Sequence, residues 1–462
     1  MIRGRFIFLL LLIGYSCRPA TEPEESRILL ETTASYRVAD TVATLPYKIR
    51  YTYFSAKDQP HRWIEVDSAG GLLLDYIYEY DETGRAVSAR AKEKGEDDYA
   101  MERFRYEGDS LKTTEWLDST GQVYYKMVDY LDEEGRSYRA SFGLGNKVQG
   151  YDTTYYTPEG FLQKKFFTNR RGEVFNDQTF TYPEINAQGA WVKRKKYVGD
   201  SLVEVKIKNL NYEAYAVDGT FYPGLLSKKP GSESSPSVTR DQQLLFFTRT
   251  QTWDQQTPYL SRQVAGIFEE PSQLKALGQI YNGAISPSGQ QIIYCVQTDT
   301  LPNIWLTKKK GDTWEKGLNL SAVSGIYGGY FHWIDEEQLL FYTLDHQGDL
   351  RKGRIRDNRL EITDSLATLN TTAATEFSPF LSRDETYLIF TRYEEKNPDQ
   401  QGFFISRNPS GKNGWQWTTP EKIPELEYGW GACVLEESEQ FLYTDGDDLK
   451  VVPLEKILIP RE

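Results

Sequence analysis

The stretch TRDQQLLFFTR, Thr239 to Arg249, reads as a polar turn followed by an apolar, aromatic strand. Four later stretches align with it: SPSGQQIIYCV (Ser286–Val296), WIDEEQLLFYT (Trp333–Thr343), LSRDETYLIFTR (Leu381–Arg392) and LEESEQFLYTD (Leu435–Asp445). The equivalent aromatics are Phe247, Tyr294, Phe341, Phe390 and Tyr443, spaced by 47, 47, 49 and 53 residues. Other strands recur in step. A third strand follows as NIWLTK, DLRKGR, GFFISR and DLKVVP, and Trp-bearing strands at Trp314 and at Trp415 with Trp417 close two of the units. An all-strand unit of this length is what four-stranded propeller blades produce.

The run SPSGQQIIYCV…NIWLTKKKGDTWEKGLNL resembles the WD40-like (PD40) repeat of TolB-type propellers. The resemblance covers residues 227–462 and implies a β-propeller. TolB-type propellers usually have six blades; five are seen here and six are possible. The region considered for a sixth is that near YAVDGTFYPGLLSK (Tyr215–Lys228), which lacks the motif.

A different unit recurs from residue 47 to 222: an aromatic-rich strand, Asp or Asn, two residues, Gly, then another strand. It appears as VDSAGGLL, YDETGRAV, LDSTGQVY, LDEEGRSY, TNRRGEVF and INAQGAWV, with YTPEGFLQ as a variant. Asp and Asn hydrogen-bond their own turns and Gly reaches positive φ, so each copy predicts a hairpin. The flanking runs alternate as half-buried strands do. This pattern resembles the YD repeats of RHS-type proteins, which implies a wound antiparallel meander and, at this degeneracy, not a closed shell. The fold class expected is therefore all-β: an N-terminal antiparallel β-meander of hairpin repeats followed by a β-propeller.

Two copies of Gly-Asp-Ser-Leu, YEGDSL (Tyr106–Leu111) and YVGDSL (Tyr197–Leu202), match the signature of a family of serine esterases. Both lie between alternating strand runs, where Gly-Asp-Ser suits a turn. That family places its serine in a helix-rich α/β domain with Asp-x-x-His downstream; here the sole Asp-x-x-His, Asp58 to His61, precedes both serines. A serine without a positioned base is a weak nucleophile. The chain has three His, three Met and three Cys against 32 Tyr, 22 Phe and 10 Trp. His61, His332 and His346 have no second His at ligand spacing, so no metal and no cofactor is expected. The net charge of −13 argues against nucleic acid. The basic run Lys193–Lys196 is read as a solvated strand face. Cys295 and Cys433 sit in apolar strand runs and suit either a bridge or buried thiols.

The chain opens MIRGRFIFLLLLIGYSC. Arg3 and Arg5, the apolar run Phe6–Ile13 and small residues before Cys17 resemble a bacterial lipoprotein signal. The resemblance implies cleavage after residue 16 and a lipid on Cys17. Residues 17–46 are expected to form a tether and linker, opening with the polar RPATEPEESR. Arg18 follows the Cys, which points to the outer membrane, on its periplasmic or surface face.

These features predict a non-catalytic binding or scaffolding module of the cell envelope, with an envelope protein or a glycan as partner and the membrane reached through the lipid. The alternative is a glycan-active propeller enzyme. TKKKGDTW (Thr307–Trp314) nearly matches the sialidase Asp-box, but with Lys309 at the Asp position. In antiparallel blades, loops entering first strands share a face with loops between second and third strands. That face carries Tyr281, Tyr327, Phe377 and Trp430 from one set, and Arg249, Trp253, His346 and Arg392 from the other. Aromatic and Arg side chains make binding hot spots, so this face is the expected binding surface. Ser110 and Ser201 are expected to be inert. Fluorophosphonate labelling of the purified protein should not exceed that of a heat-denatured control, and labelling lost in Ser110→Ala or Ser201→Ala would restore the esterase reading.

Overall fold

One kind of turn builds the first half of the chain. At Asp81 the carboxylate Oδ1 accepts the backbone N–H groups of Thr83 and Arg85, each at 2.9 Å. Gly84 closes the turn at φ 84° with its N–H donated to the Asp81 carbonyl at 3.0 Å. Asp67, Asp118, Asp132, Asn169 and Asn186 repeat the arrangement. At the variant copy the Thr157 hydroxyl accepts from Phe161 N alone, at 3.2 Å. The computed structural model describes residues 30–458 except 38–45, 56–58, 97, 145–146, 212–217, 253–254, 265–266, 299–300 and 345–347.

These hairpins join β2 (Lys48–Phe54), β3 (Pro60–Asp67), β4 (Leu72–Tyr80), β5 (Ala86–Glu93), β6 (Ala100–Glu107), β7 (Leu111–Leu117) and β8 (Val123–Leu131). The meander continues through β9 (Ser137–Leu144), β10 (Lys147–Tyr156), β11 (Leu162–Asn169), β12 (Val174–Ile185), β13 (Trp191–Val198) and β14 (Ser201–Asn211). The sequence predicted an open, wound meander. Instead β1 (Leu30–Arg37), in the stretch expected to be a tether, pairs with β14 on one side and β2 on the other. The result is a closed barrel of 14 strands. Closure removes both sheet edges, the exposed pairing sites an open meander would leave. Both faces of the wall carry charge in mid-strand: Arg103, paired with Glu115 at 2.7 Å, on one and Glu102 on the other. A lipid-facing barrel needs one apolar face, and this wall has none at β6 and β7.

Ser110 lies in the β6–β7 turn and Ser201 opens β14. Among the described residues no hydrogen bond joins either hydroxyl to a histidine.

The second half forms five sheets. Their innermost strands are Ser232–Val238, Gly283–Ile285, Gly328–Trp333, Thr375–Leu381 and Trp430–Leu435 for blades 1 to 5. Each touches the next, and the fifth touches the first, so the ring closes with five blades. The five aligned aromatics all fall on second strands and are at most 7 % exposed. Three of them stack on a third-strand ring at the paired position: Phe247 on Tyr259, Tyr294 on Trp305 and Phe390 on Phe404. Trp314 lies in a fourth strand as expected. Trp415 and Trp417 do not: blade 4 ends in Glu421–Lys422, and Trp415 instead packs under Lys352, whose Nζ is 3.7 Å from its ring centroid.

The stretch considered for a sixth blade completes the fifth. Blade 5 has three strands of its own, and Thr220 bridges Lys450 in antiparallel fashion. Phe221 N donates to Leu449 O and Val451 N to Gly219 O, both at 2.8 Å. The chain thus lays its entry strand against its last blade before starting the first. The same segment seats the propeller on the barrel. Phe221, Tyr222, Leu225 and Leu226 share one core with Tyr53, Ile64 and Val66 of β2 and β3 and with Phe247, Phe268, Leu442 and Val451 of blades 1 and 5. The Tyr53 hydroxyl donates to Pro223 O at 2.6 Å. Beside this core, buried Arg62 pairs with Asp75 at 2.6 Å and reaches Glu270 of blade 1 at 2.7 Å.

Phe221 is 2 % exposed at the junction of entry strand, barrel and ring. Phe221→Ala should cost about 3–5 kcal/mol in denaturant unfolding. A loss below about 1 kcal/mol, the scale of a surface substitution, would mean that the segment does not bear on closure.

Candidate functional site

Each innermost strand carries polar groups that reach sideways to the next blade. Ile285 N donates to Ser237 Oγ at 2.9 Å, Tyr330 N to Asn282 Oδ1 at 2.9 Å, and Gly431 N to Ser378 Oγ at 2.5 Å. Thr444 Oγ1 donates to Glu233 O at 2.6 Å and links blade 5 to blade 1. Four of the strands bulge at one level, where Ser235, Tyr330, Ser378 and Gly431 adopt positive φ. The bulges turn the N–H groups of Tyr330 and Gly431 to the preceding blade, and a separate cavity lies at either end of the ring.

The mouth at the starts of the innermost strands is narrow, with a cavity of about 50 Å³. Tyr281, Tyr330 and Trp430 line it, and the Tyr330 ring lies 4.9 Å from that of Phe377. The structure therefore brings Tyr281, Phe377 and Trp430 to one mouth. Tyr327, half-buried, bridges Asn303 nearby. Arg249 and Arg392 are engaged inward. Arg249 Nε donates to Glu233 at 2.7 Å beneath a Tyr259 ring 4.8 Å away; Arg392 Nε donates to Glu376 at 2.8 Å over a Phe404 ring at 4.3 Å. Both glutamates are wholly buried, and burial pushes Glu233 up to about 7. Trp253, His346 and Cys17 lie outside the described residues.

The opposite mouth, at the hairpins between first and second strands, opens on a cavity of about 380 Å³. Ile285, Phe331, Trp333, Phe380 and Val434 form an apolar wall. Arginines from opposite blades cross its rim. Arg240 of blade 1 reaches Ile334 O of blade 3 at 3.4 Å, and Arg383 of blade 4 pairs with Glu436 of blade 5 at 3.0 Å while donating to Arg240 O at 3.3 Å. Sequence reasoning missed these two, although the signal was there. Arg240 and Arg383 occupy the same place in the aligned turns Thr-Arg-Asp and Ser-Arg-Asp, whose hydroxyls bond the Asp carboxylates at 2.6 and 2.8 Å. This size and lining suit a small ligand or a peptide side chain.

The reactive groups near this cavity are held in inert forms. Burial pushes the Cys433 thiol up to about 12, so it stays protonated. Cys295, on the side of the other mouth, is a buried free thiol donating to Gly328 O at 2.6 Å. His332 packs edge-on against Phe380, with centroids 4.9 Å apart, and burial holds it down at about 4. Among the described residues no group of three His, Cys, Asp or Glu side chains is placed to hold a metal ion, and no helix is long and apolar enough to cross a membrane.

No family model and no curated protein matches this chain. Among solved structures it is similar to TolB from Acinetobacter baumannii, at 11 % identity over 76 % of this chain and 78 % of that one, with a TM-score of 0.31. It is also similar to a nidogen/laminin complex, at 9 % identity over 57 % and 87 % of the two chains and a TM-score of 0.32. A gluconolactonase from Xanthomonas campestris matches at 11 % identity over 50 % and 88 %, with a TM-score of 0.31. Likeness this weak carries no functional argument; the propeller is read from the chain's own five sheets.

His332 makes stability depend on pH. The unfolded chain takes up a proton below about 6.5, and the folded chain only near 4. Stability should fall as the solution is acidified between those values, by on the order of 1.4 kcal/mol per pH unit from this residue. Denaturant unfolding at several pH values should show the slope reduced in His332→Asn; an unchanged slope would mean that His332 is solvated.

Proposed function

We propose that this chain is a non-catalytic binding module of the bacterial cell envelope, anchored through Cys17, and that its propeller receives a segment of a partner protein at the hairpin-side mouth. The observation that carries the reading is the cavity of about 380 Å³, with an apolar wall and Arg240 and Arg383 at its rim. Such a lining suits an apolar side chain that enters the channel beside a carboxylate, which the Arg240 guanidinium, in no ion pair among the described residues, receives in a fixed, two-pronged geometry. A glycan-cleaving reading needs two carboxyls free to face each other across a bond. Three carboxyls line this mouth: Asp335 already accepts the N–H groups of Glu337 and Gln338 and the Gln338 amide, at 2.7–2.8 Å, Glu436 is paired with Arg383, and Glu385 is left without a second unengaged carboxyl to face. Binding is therefore the better supported reading.

Crosslinking in the native envelope separates the two mouths. Partner capture should be lost in the Arg240→Ala/Arg383→Ala protein and kept in Tyr281→Ala/Trp430→Ala. The reverse pattern would place the partner at the aromatic mouth expected from sequence. Capture unchanged in both would remove the channel as the binding site.

A further inference from the structure

Strand alternation gives the barrel wall two faces. Tyr51, Tyr53, Ile64 and Val66 pack toward the propeller, and the intervening side chains occupy the other face. There, neighbouring strands bring cations into register. Arg194 of β13 pairs with Lys206 of β14, Lys206 with Ser35 of β1, and Ser35 with Lys48 of β2. The next row holds Lys208, Thr33, Arg50 and Glu65. Five cations meet three carboxylates on this patch, in a chain whose net charge is −13.

The carboxylates are unevenly shared. Glu65 takes Lys48 and Arg50, each at 2.8 Å, and Glu31 takes Lys208 at 2.8 Å. Glu204 accepts a hydrogen bond from the Tyr47 hydroxyl at 2.7 Å. Its other oxygen lies 3.8 Å from Arg194 and 3.9 Å from Lys206, beyond hydrogen-bond reach. The Arg194 Nε is buried and has no acceptor. The side chains of Arg194 and Lys206 are only 18 % and 19 % exposed. The run Lys193–Lys196, expected to be a solvated face, thus contains a largely buried cation. Burial, with Arg194, Arg50 and Lys48 adding to it, holds Lys206 down at about 8. The Arg194 guanidinium also meets the Tyr182 hydroxyl and the Phe180 and Trp191 rings, but among the described residues neither it nor Lys206 has a carboxylate oxygen within hydrogen-bond reach, which is costly unless an anion joins them.

We propose that Arg194 and Lys206 form an oxyanion site on the barrel wall, receiving a phosphoryl or carboxylate group of a ligand beside Glu204. An oxyanion between the two would give the Arg194 Nε its missing acceptor and both cations a charge-assisted hydrogen bond.

Thermal unfolding of the full chain tests this, with inorganic phosphate and glucuronate as separate probes and sodium chloride at matched ionic strength as control. A ligand bound only by the folded state raises Tm. Tm should rise with phosphate, glucuronate or both beyond the chloride control; either response supports the site and tells the two kinds of group apart. Arg194→Gln/Lys206→Gln should respond at least about tenfold more weakly, with a ligand-free Tm no lower than the parent's. Should that double variant fail to fold, Glu204→Gln serves: removing the competing carboxylate should strengthen the response. A parent that does not distinguish either probe from chloride, a double variant that responds like the parent, or a Glu204→Gln protein with an unaltered response would overturn the proposal.

Discussion

The antiparallel pairing of Gly219, Thr220 and Phe221 with Val451, Lys450 and Leu449 is the constraint on which the molecule depends. A propeller is a sheet array bent into a ring, and its last blade must be tied to its first. Here blades 5 and 1 meet directly, through Thr444 and Glu233 among others, and the segment that leaves the barrel adds a further tie by pairing with blade 5 just before it enters blade 1. Because Phe221 and Tyr222 also fill the core against β2 and β3, closure and docking share one set of side chains. Apolar burial supplies the attraction, and the two main-chain hydrogen bonds fix the register.

Around the channel the ring is reinforced by buried polar contacts, and two of them are copies. Glu233 with Arg249 in blade 1 and Glu376 with Arg392 in blade 4 have the same register, an aromatic ring at the equivalent third-strand position against the guanidinium (Tyr259 and Phe404) and the same donation to a loop carbonyl, Leu226 O at 2.8 Å and Leu369 O at 3.1 Å. Removing either partner would leave a buried charge alone, so each pair is hard to lose. This inward use leaves Arg249 and Arg392 off the lining of the aromatic mouth. The opposite mouth keeps its arginines at the rim.

What the sequence made legible was whatever local chemistry decides. The Asp-x-x-Gly turns read correctly because the carboxylate and the left-handed Gly settle each hairpin within five residues. The second-strand aromatics read correctly because their burial repeats with every blade. Closure was illegible. LETTASYR, Leu30–Arg37, alternates small and polar residues and has no turn signature beside it, so nothing local marks it as the strand joining β14 to β2. Thr220 and Phe221 form too short an edge to show periodicity. Trp415 and Trp417 misled because two large rings suggest a strand, whereas here they cover the flank of blade 4. The rim arginines were visible as a repeated turn, but the aromatic residues of the other mouth gave the stronger hot-spot signal.

Native-state hydrogen exchange at the amides of Phe221 and Val451 tests the closure most directly. Both N–H groups should exchange only through global unfolding, as slowly as amides in the second strand of blade 4, Tyr387–Tyr393. Exchange of these two amides at the rate of a fraying edge, with blade 4 still protected, would contradict the account: the ring would then be open at blade 5, and the entry segment a linker.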